Sequence, residues 1–412
     1  MADSGSDPSS HSSIHTDGPS PHKPAATVPF ADIGALFLSS RLALLLVGLL
    51  STWLLGSGLA VQKGNLIHHQ AAVRPLEIWS RWDSEWYLLI ADVGYAGPEV
   101  ERQFEGLSVG YEPEAAAGFL PLYPLLIRML SPLLGGVGAG VLISNLCLAA
   151  ALVLLFRLTS REAGGGDKGR TAGLAACAAL LVYPMSLFLS AVYAESLFLV
   201  LSLAVFCLAR EGRFAWAGLA GACAAITRPF GVLLVLPVAL EWWELRRQGR
   251  ASASAWVWTL PIPAALGGFM VYCANRFGEP DAFLARQTRW RGGMSGPWRA
   301  FVRWWEAGPA AHGAHDSTLE LCIALAFVAA LPFIVRRLRA PLSAYAVVAI
   351  LLPLCSTLWS FGRFALTVFP VFMLAGISWA EGRRRLVLAY GFAGATLSGL
   401  LMALYANWWW AG

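Results

Sequence analysis

The chain has 412 residues, 57% of them hydrophobic and only 13% charged, with a formal net charge of +5 and a mean hydropathy of +0.59. Apolar stretches recur along nearly the whole length, which excludes a soluble domain with a large core and identifies an integral membrane protein. The runs are too long and too continuously apolar for the alternating strands of a barrel, so the expected class is all-α and polytopic.

Residues 1–29, rich in Ser, Pro, His and Asp, bury too little apolar surface to fold and read as a disordered tail on the cytoplasmic side. No short apolar core with a cleavage site precedes the first apolar run, so that run is expected to serve as its own signal anchor. Runs of about 17 to 25 apolar residues place spans near 33–61, 137–157, 171–190, 194–209, 256–275, 318–335, 341–360, 364–380 and 386–406. The stretch 215–243 is interrupted at Thr227, Arg228 and Pro229, which predicts two short helices meeting at a break. With a turn at that break the chain makes eleven passes.

Orientation follows from basic residues in short connections. The clusters are Arg157, Arg161, Lys168 and Arg170; Arg210 and Arg213; Arg246, Arg247 and Arg250; Arg336, Arg337 and Arg339; and Arg383, Arg384 and Arg385. With eleven passes all of them fall on the cytoplasmic face, as the positive-inside rule requires. The opposite, outer face then carries two long loops, 62–136 and 276–317, the Tyr193–Ala194–Glu195 corner, the break at 227–229 and Arg363. Ionisable groups near bilayer depth cost about 2.5 to 3.5 kcal/mol on insertion scales and mark function. Their convergence on one face is therefore a site prediction.

The most concentrated segment is "RWDSEWYLLIADVGY", residues 81–95. Its aromatics, Trp82, Trp86 and Tyr87, predict a short helix lying in the membrane interface with its rings at headgroup level. Solvated carboxylates on such an anchor are one reading of Asp83, Glu85 and Asp92. The other makes Asp83 a general base, partly desolvated by flanking indoles, with Glu85 and Asp92 as fallbacks. Arg228 and Arg363 fit a phosphate group, because the guanidinium fork is bidentate and permanently charged. Snorkelling, or an internal ion pair with Glu195, is the competing reading. The 276–317 loop, with Arg276, Arg286, Arg289, Arg291, Arg299 and Arg303 among four tryptophans, suits anionic lipid, a lipid-linked phosphate or sugar faces, and equally a solvated or interfacial anchor.

No cofactor is expected. His312 and His315 lack a third ligand in view, so no metal site is expected either. The seven cysteines form neither a disulfide framework nor a CxxC pattern. Gly164–Gly166 follow no strand and precede no GK[ST], which argues against nucleotide-driven chemistry.

Five segments in order carry a family resemblance: "RWDSEWYLLIADVGY", "GFLPLYPLLIRML", "YPMSLFLSAVYAESLFL", "AAITRPFGVLLVLPVALEWW" and "SFGRFALTVFPVF". Together they resemble the PIG-V family, the GPI mannosyltransferase II-like enzymes of the GT-C superfamily, from about residue 36 to 380. The resemblance implies a GT-C-like helical bundle over 30–412 that takes a sugar, usually mannose, from a polyprenyl- or dolichyl-phosphate on the non-cytoplasmic side. It also implies that an acid of the first outer loop, here Asp83, is the catalytic carboxylate. Arg228 and Arg363 lie in matching motifs, with Arg81, Trp82, Glu85, Tyr87, Asp92, Tyr123, Tyr193, Glu195 and Thr227 as supporting residues. The expected partners are the lipid-phosphate sugar, the bilayer and an acceptor, with no nucleic acid. The membrane is that of the endoplasmic reticulum, or the inner membrane of a bacterial relative with its site outward. A 22-residue stretch between Tyr95 and Gly118, longer than that family leads one to expect, leaves GPI itself open as acceptor. Two other classes compete: a polyprenyl-phosphate or lipid transporter, which calls for paired broken helices, and a non-catalytic assembly factor.

Overall fold

A computed structural model describes residues 27–55, 75–95, 113–308 and 317–412. Every regular element among the described residues is helical, α or 3-10, as an all-α membrane bundle requires. Five stretches are long and apolar enough to cross a membrane: Phe30–Leu55, Leu122–Glu162, Ala253–Phe277, Thr318–Arg337 and Arg384–Ala406. Shorter apolar helices at Phe214–Ala225, Ala340–Leu354 and Phe369–Ala380 pack among them. Residues 1–26 of the predicted tail, 62–74 and 96–112 of the first outer loop, and the pair His312 and His315 lie outside the described residues.

Helix α1 (Phe30–Leu55) is followed, after the gap, by the short α2 (Ser84–Val93). Helix α3 (Leu122–Glu162) starts at Pro121, a residue suited to a helix entry, and is kinked at Gly135, whose φ of 69° breaks the helical backbone. Residues 122–134 of the first long loop are thus helical, and the break at Gly135 falls beside the start of the span predicted at 137–157. Helices α4 (Gly166–Leu181) and α5 (Glu195–Arg210) are separated by a buried stretch that holds a 3-10 turn at Ser186–Leu189 and begins where Pro184 forbids continuation of the α-helix. The span predicted at 171–190 thus stops at 181.

The 215–243 stretch is two helices, as its Thr-Arg-Pro break predicts: α6 (Phe214–Ala225) and α7 (Val235–Arg247), joined by a 3-10 turn over Pro229–Leu234. A Cβ on Gly231 would collide with the backbone of Ala224 and Ala225, so only glycine lets the returning arm lie this close. Likewise Gly218 sits directly against the carbonyl of Trp258, at the contact between α6 and the 3-10 turn that leads into α8 (Pro261–Phe277).

The second long loop is not irregular. It contains α9 (Ala282–Arg291) and α10 (Arg299–Ala307), the latter exposing Trp305 and preceded by the exposed Trp298. Helix α11 (Thr318–Arg337) is capped by Ser317, whose hydroxyl accepts from the Glu320 amide at 3.3 Å. Then come α12 (Ala340–Leu354), the five-residue α13 (Phe361–Ala365), α14 (Phe369–Ala380) and α15 (Arg384–Ala406). The predicted spans at 341–360 and 364–380 are therefore both cut short by an interruption at 355–368. The break predicted at 227–229 is found at 226–234, and among the described residues two further interruptions fall at 182–194 and 355–368.

Ion pairs tie the basic clusters together at one end of the bundle. Arg161 meets Glu211 at 3.1 Å, Arg210 meets Glu162, Arg337 meets Glu381, and Arg339 meets both Glu241 and Glu244. Helix α5 has Arg210 at this end and Glu195 at the other, about 22 Å away at 1.5 Å per residue. All three breaks converge on the Glu195 end.

Candidate active site

The site is built on a chain of four charged side chains, each from a different part of the sequence. Glu195, at the first turn of α5, is fully buried. It accepts from an Nη of Arg228 and faces Nε of Arg363 at 3.5 Å. Arg363 in turn donates through Nη1 to Asp83 Oδ2 at 2.5 Å. Exposure rises along this chain, from 0% for the Glu195 side chain to 23% for Asp83. Asp83 is thus the most exposed member of the chain. Burial alone would lower the pKa of Arg363, but Asp83 and Glu195 overcome it, and the guanidinium is held above its ordinary value.

Each member is placed by local backbone. Arg228 is extended (φ −148°, ψ 142°) because Pro229 disfavours helix before it, so its side chain leaves the axis of α6. Asp83 is held by its own amide, which donates to the Tyr193 hydroxyl at 3.1 Å, while that hydroxyl donates to the Arg81 carbonyl at 3.1 Å. The Arg81 amide donates to the Tyr405 hydroxyl at 3.0 Å, which anchors this loop on α15. Gly362, beside Arg363, donates its amide to Glu320 at 2.5 Å.

Among the described residues three non-glycines have positive φ: Trp82 (58°), Ser360 (60°) and Trp408 (65°). All three border the Asp83–Arg363 pair. Such backbone costs about 1 to 3 kcal/mol per residue and persists where the surroundings enforce it, which is common at functional sites. The same place collects buried polar atoms that lack a hydrogen-bond partner: Arg81 Nη1, Trp82 Nε1, Glu195 Oε2 and Arg363 Nε, the last held by the Glu195 ion pair alone.

The structure brings Asp83, Glu195, Arg228 and Arg363 together and gives several of the residues around them surroundings that differ from those expected. Helix α2 does not lie in an interface: Trp86, Tyr87, Leu89 and Ile90 are all buried, and Tyr87 packs edge-on against Phe119, Tyr123 and Tyr193. The helix is inward because the aromatics of α3 and the 182–194 stretch offer it a protein surface on every side. Glu85 is buried, not solvated, whereas Asp92 is exposed. Tyr123 donates to the Gly140 carbonyl at 3.0 Å and Thr227 donates to Cys223 O at 2.7 Å, both packing roles at one remove from the charges. Arg228 has the ion-pair partner that was the competing reading for it, and Glu195 holds not one arginine but two.

Two contributions were missed. Arg291, at the end of α9, stands 4.6 Å above the ring of Phe364, which Arg228 and Arg363 also flank at 5.3 and 5.6 Å. Its presence in a basic outer loop was the available signal. The segment 407–412 also reaches the site: Trp410 lies 5.5 Å from the Arg363 guanidinium, and Arg81 lies 4.7 Å from the Trp408 ring. The described residues hold no cluster of three His, Cys, Asp or Glu suited to a metal.

No curated protein matches the chain. A family model does, and the matched stretch contains Asp83, Glu195 and Arg228 while leaving out Arg291, Arg363 and the tryptophans of 408–410. Residues 59–240 match the model described as Mannosyltransferase (PIG-V), and over that stretch the chain is similar to that mannosyltransferase family.

Proposed function

We propose that the chain is a GT-C-type transferase that moves mannose from a polyprenyl- or dolichyl-phosphate to a lipid-linked glycan, glycolipid or protein acceptor. Transfer occurs on the non-cytoplasmic face, in a single displacement with inversion. The observation that carries this reading is Arg363 standing between Asp83 and Glu195, with Arg228 beyond.

The pairing suits the charge movement of the reaction. Asp83 removes the proton of an acceptor hydroxyl as the oxygen bonds to the anomeric carbon and the bond from that carbon to the phosphate oxygen breaks. The carboxylate becomes neutral in the same step in which the departing phosphate gains a negative charge. Arg363, losing its partner, is then free to face the new anion, a gain made in the transition state and not before it. Arg228 and Arg291 add positive charge around Phe364, and Glu195 fixes the two buried guanidiniums in place. Because the leaving group departs as an anion, no proton donor and no cofactor enter the scheme.

The outward placement of the site draws support from the basic clusters, which gather at the opposite end of α5. The membrane is accordingly the endoplasmic reticulum, or a bacterial plasma membrane with the site outside. The test is transfer by Asp83→Asn in membranes supplied with polyprenyl-phosphate mannose. A fall of about 10²- to 10⁴-fold is expected. Undiminished transfer removes Asp83 from the role.

A further inference from the structure

Segment 407–412 is built into the site and not merely laid over it. Ser360 donates its hydroxyl to the Gly412 carbonyl at 3.1 Å, Arg81 Nε donates to the Ala406 carbonyl at 3.4 Å, and Asn407 Nδ2 donates to Ser51 Oγ at 3.2 Å. These bonds hold Trp408 and Trp410 against Trp82, with ring centroids 6.4 and 5.4 Å away, and Trp410 meets Trp359 edge-on at 6.2 Å. Four indoles from three distant parts of the chain thus wall the Asp83–Arg363 pair. All four are partly exposed. Two of them, Trp82 and Trp408, are held in left-handed backbone that apolar packing alone would not demand.

The wall holds unpaired donors. Arg81 Nη1 and Trp82 Nε1 are buried donors without acceptors, and a buried N–H left unpaired carries its full desolvation cost. An apolar chain supplies no acceptor to them; a sugar supplies several, together with a C–H face that suits an indole. Position agrees with chemistry. The reacting carbon must lie between the base, Asp83, and the phosphate on Arg363, and Trp82 and Trp410 border those two groups.

We infer that Trp82, Trp359, Trp408 and Trp410 form the wall against which the transferred pyranose rests, with Arg81 and Trp82 donating to its hydroxyls. The inference rests on the lipid-phosphate sugar donor proposed above and names the part of the site that reads the sugar.

The experiment measures binding of two ligands of equal chain length, polyprenyl-phosphate mannose and bare polyprenyl phosphate, to the purified full chain. The wild type is expected to prefer the sugar-bearing ligand. Trp410→Ala lowers that preference about tenfold and Trp82→Phe, which keeps a ring but loses the donor, about threefold. Both leave affinity for the bare phosphate within about twofold of wild type, which also serves as the control for folding. If Trp410→Ala does not fold, Trp82→Phe decides. Parallel weakening of both ligands by Trp82→Phe assigns the wall to the lipid chain and overturns the inference, as does an unchanged preference. A wild type that binds the mannose donor while the variants keep its preference overturns the inference alone. A wild type that binds neither ligand overturns the donor class and the inference with it.

Discussion

Glu195 offers the sharpest test of how the site is held. Its carboxylate is fully buried and faces two guanidiniums whose own side chains are 10% and 9% exposed. Changing Glu195→Gln keeps the shape and one acceptor oxygen but leaves Arg228 and Arg363 to share the single charge of Asp83. Breaking a buried pair by removing one partner costs about 3 to 5 kcal/mol, and the surviving neutral hydrogen bond returns about 1 of them. The expected loss is therefore about 3 kcal/mol. Arg228→Met strands no second cation, so the double variant Glu195→Gln, Arg228→Met should be less damaged than the two single losses summed, by about 2 kcal/mol. Equilibrium unfolding in mixed micelles of the wild type, both single variants and the double variant closes the cycle. Losses that add to within about 0.5 kcal/mol would show that the pair is incidental and that the site is positioned by something else.

Other expectations follow from single contacts. Tyr193→Phe removes the hydroxyl that joins the Asp83 amide to the Arg81 carbonyl; at about 1 kcal/mol per bond, turnover should fall at least fivefold while KM for the donor changes little. Arg291→Gln should weaken bare polyprenyl phosphate about tenfold in a binding titration, since it removes one of the three cations around Phe364. Gly231→Ala drives a methyl group into the backbone of Ala224, and thermal inactivation should occur at distinctly lower temperature than in Gly231→Ala's control, Gly267→Ala, where a Cβ meets open space.

The parts of the fold that depend on local chemistry were legible in advance. Pro229 after Arg228 announced a break, arginine in short connections announced the common end of the bundle, and "SFGRF" announced a charged residue among apolar neighbours. What stayed hidden depends on contacts between residues far apart in the chain. Helix α2 carries the aromatics of an interfacial helix, and only the ring of tyrosines from α3 and residues 182–194 makes its surroundings protein. The run "NWWW" at 407–410 reads equally well as a belt residue cluster at a membrane surface. Nothing local reports that Trp408 adopts positive φ or that Trp410 covers Arg363. The breaks at 182–194 and 355–368 were masked because their residues are as apolar as the helices beside them.

The contact of Gly231 with Ala224 has a consequence for motion. Two backbones in van der Waals register leave no side chain between them to rearrange, so α6, its turn and α7 form a stiff bracket, and Arg228 at its tip is carried with no independent play. Any adjustment that admits a bulky substrate then falls to the facing side, where Ser360 and Gly412 are joined by one hydroxyl bond. The site has an anvil and a jaw, and Arg228, on the anvil, is the cation that stays still.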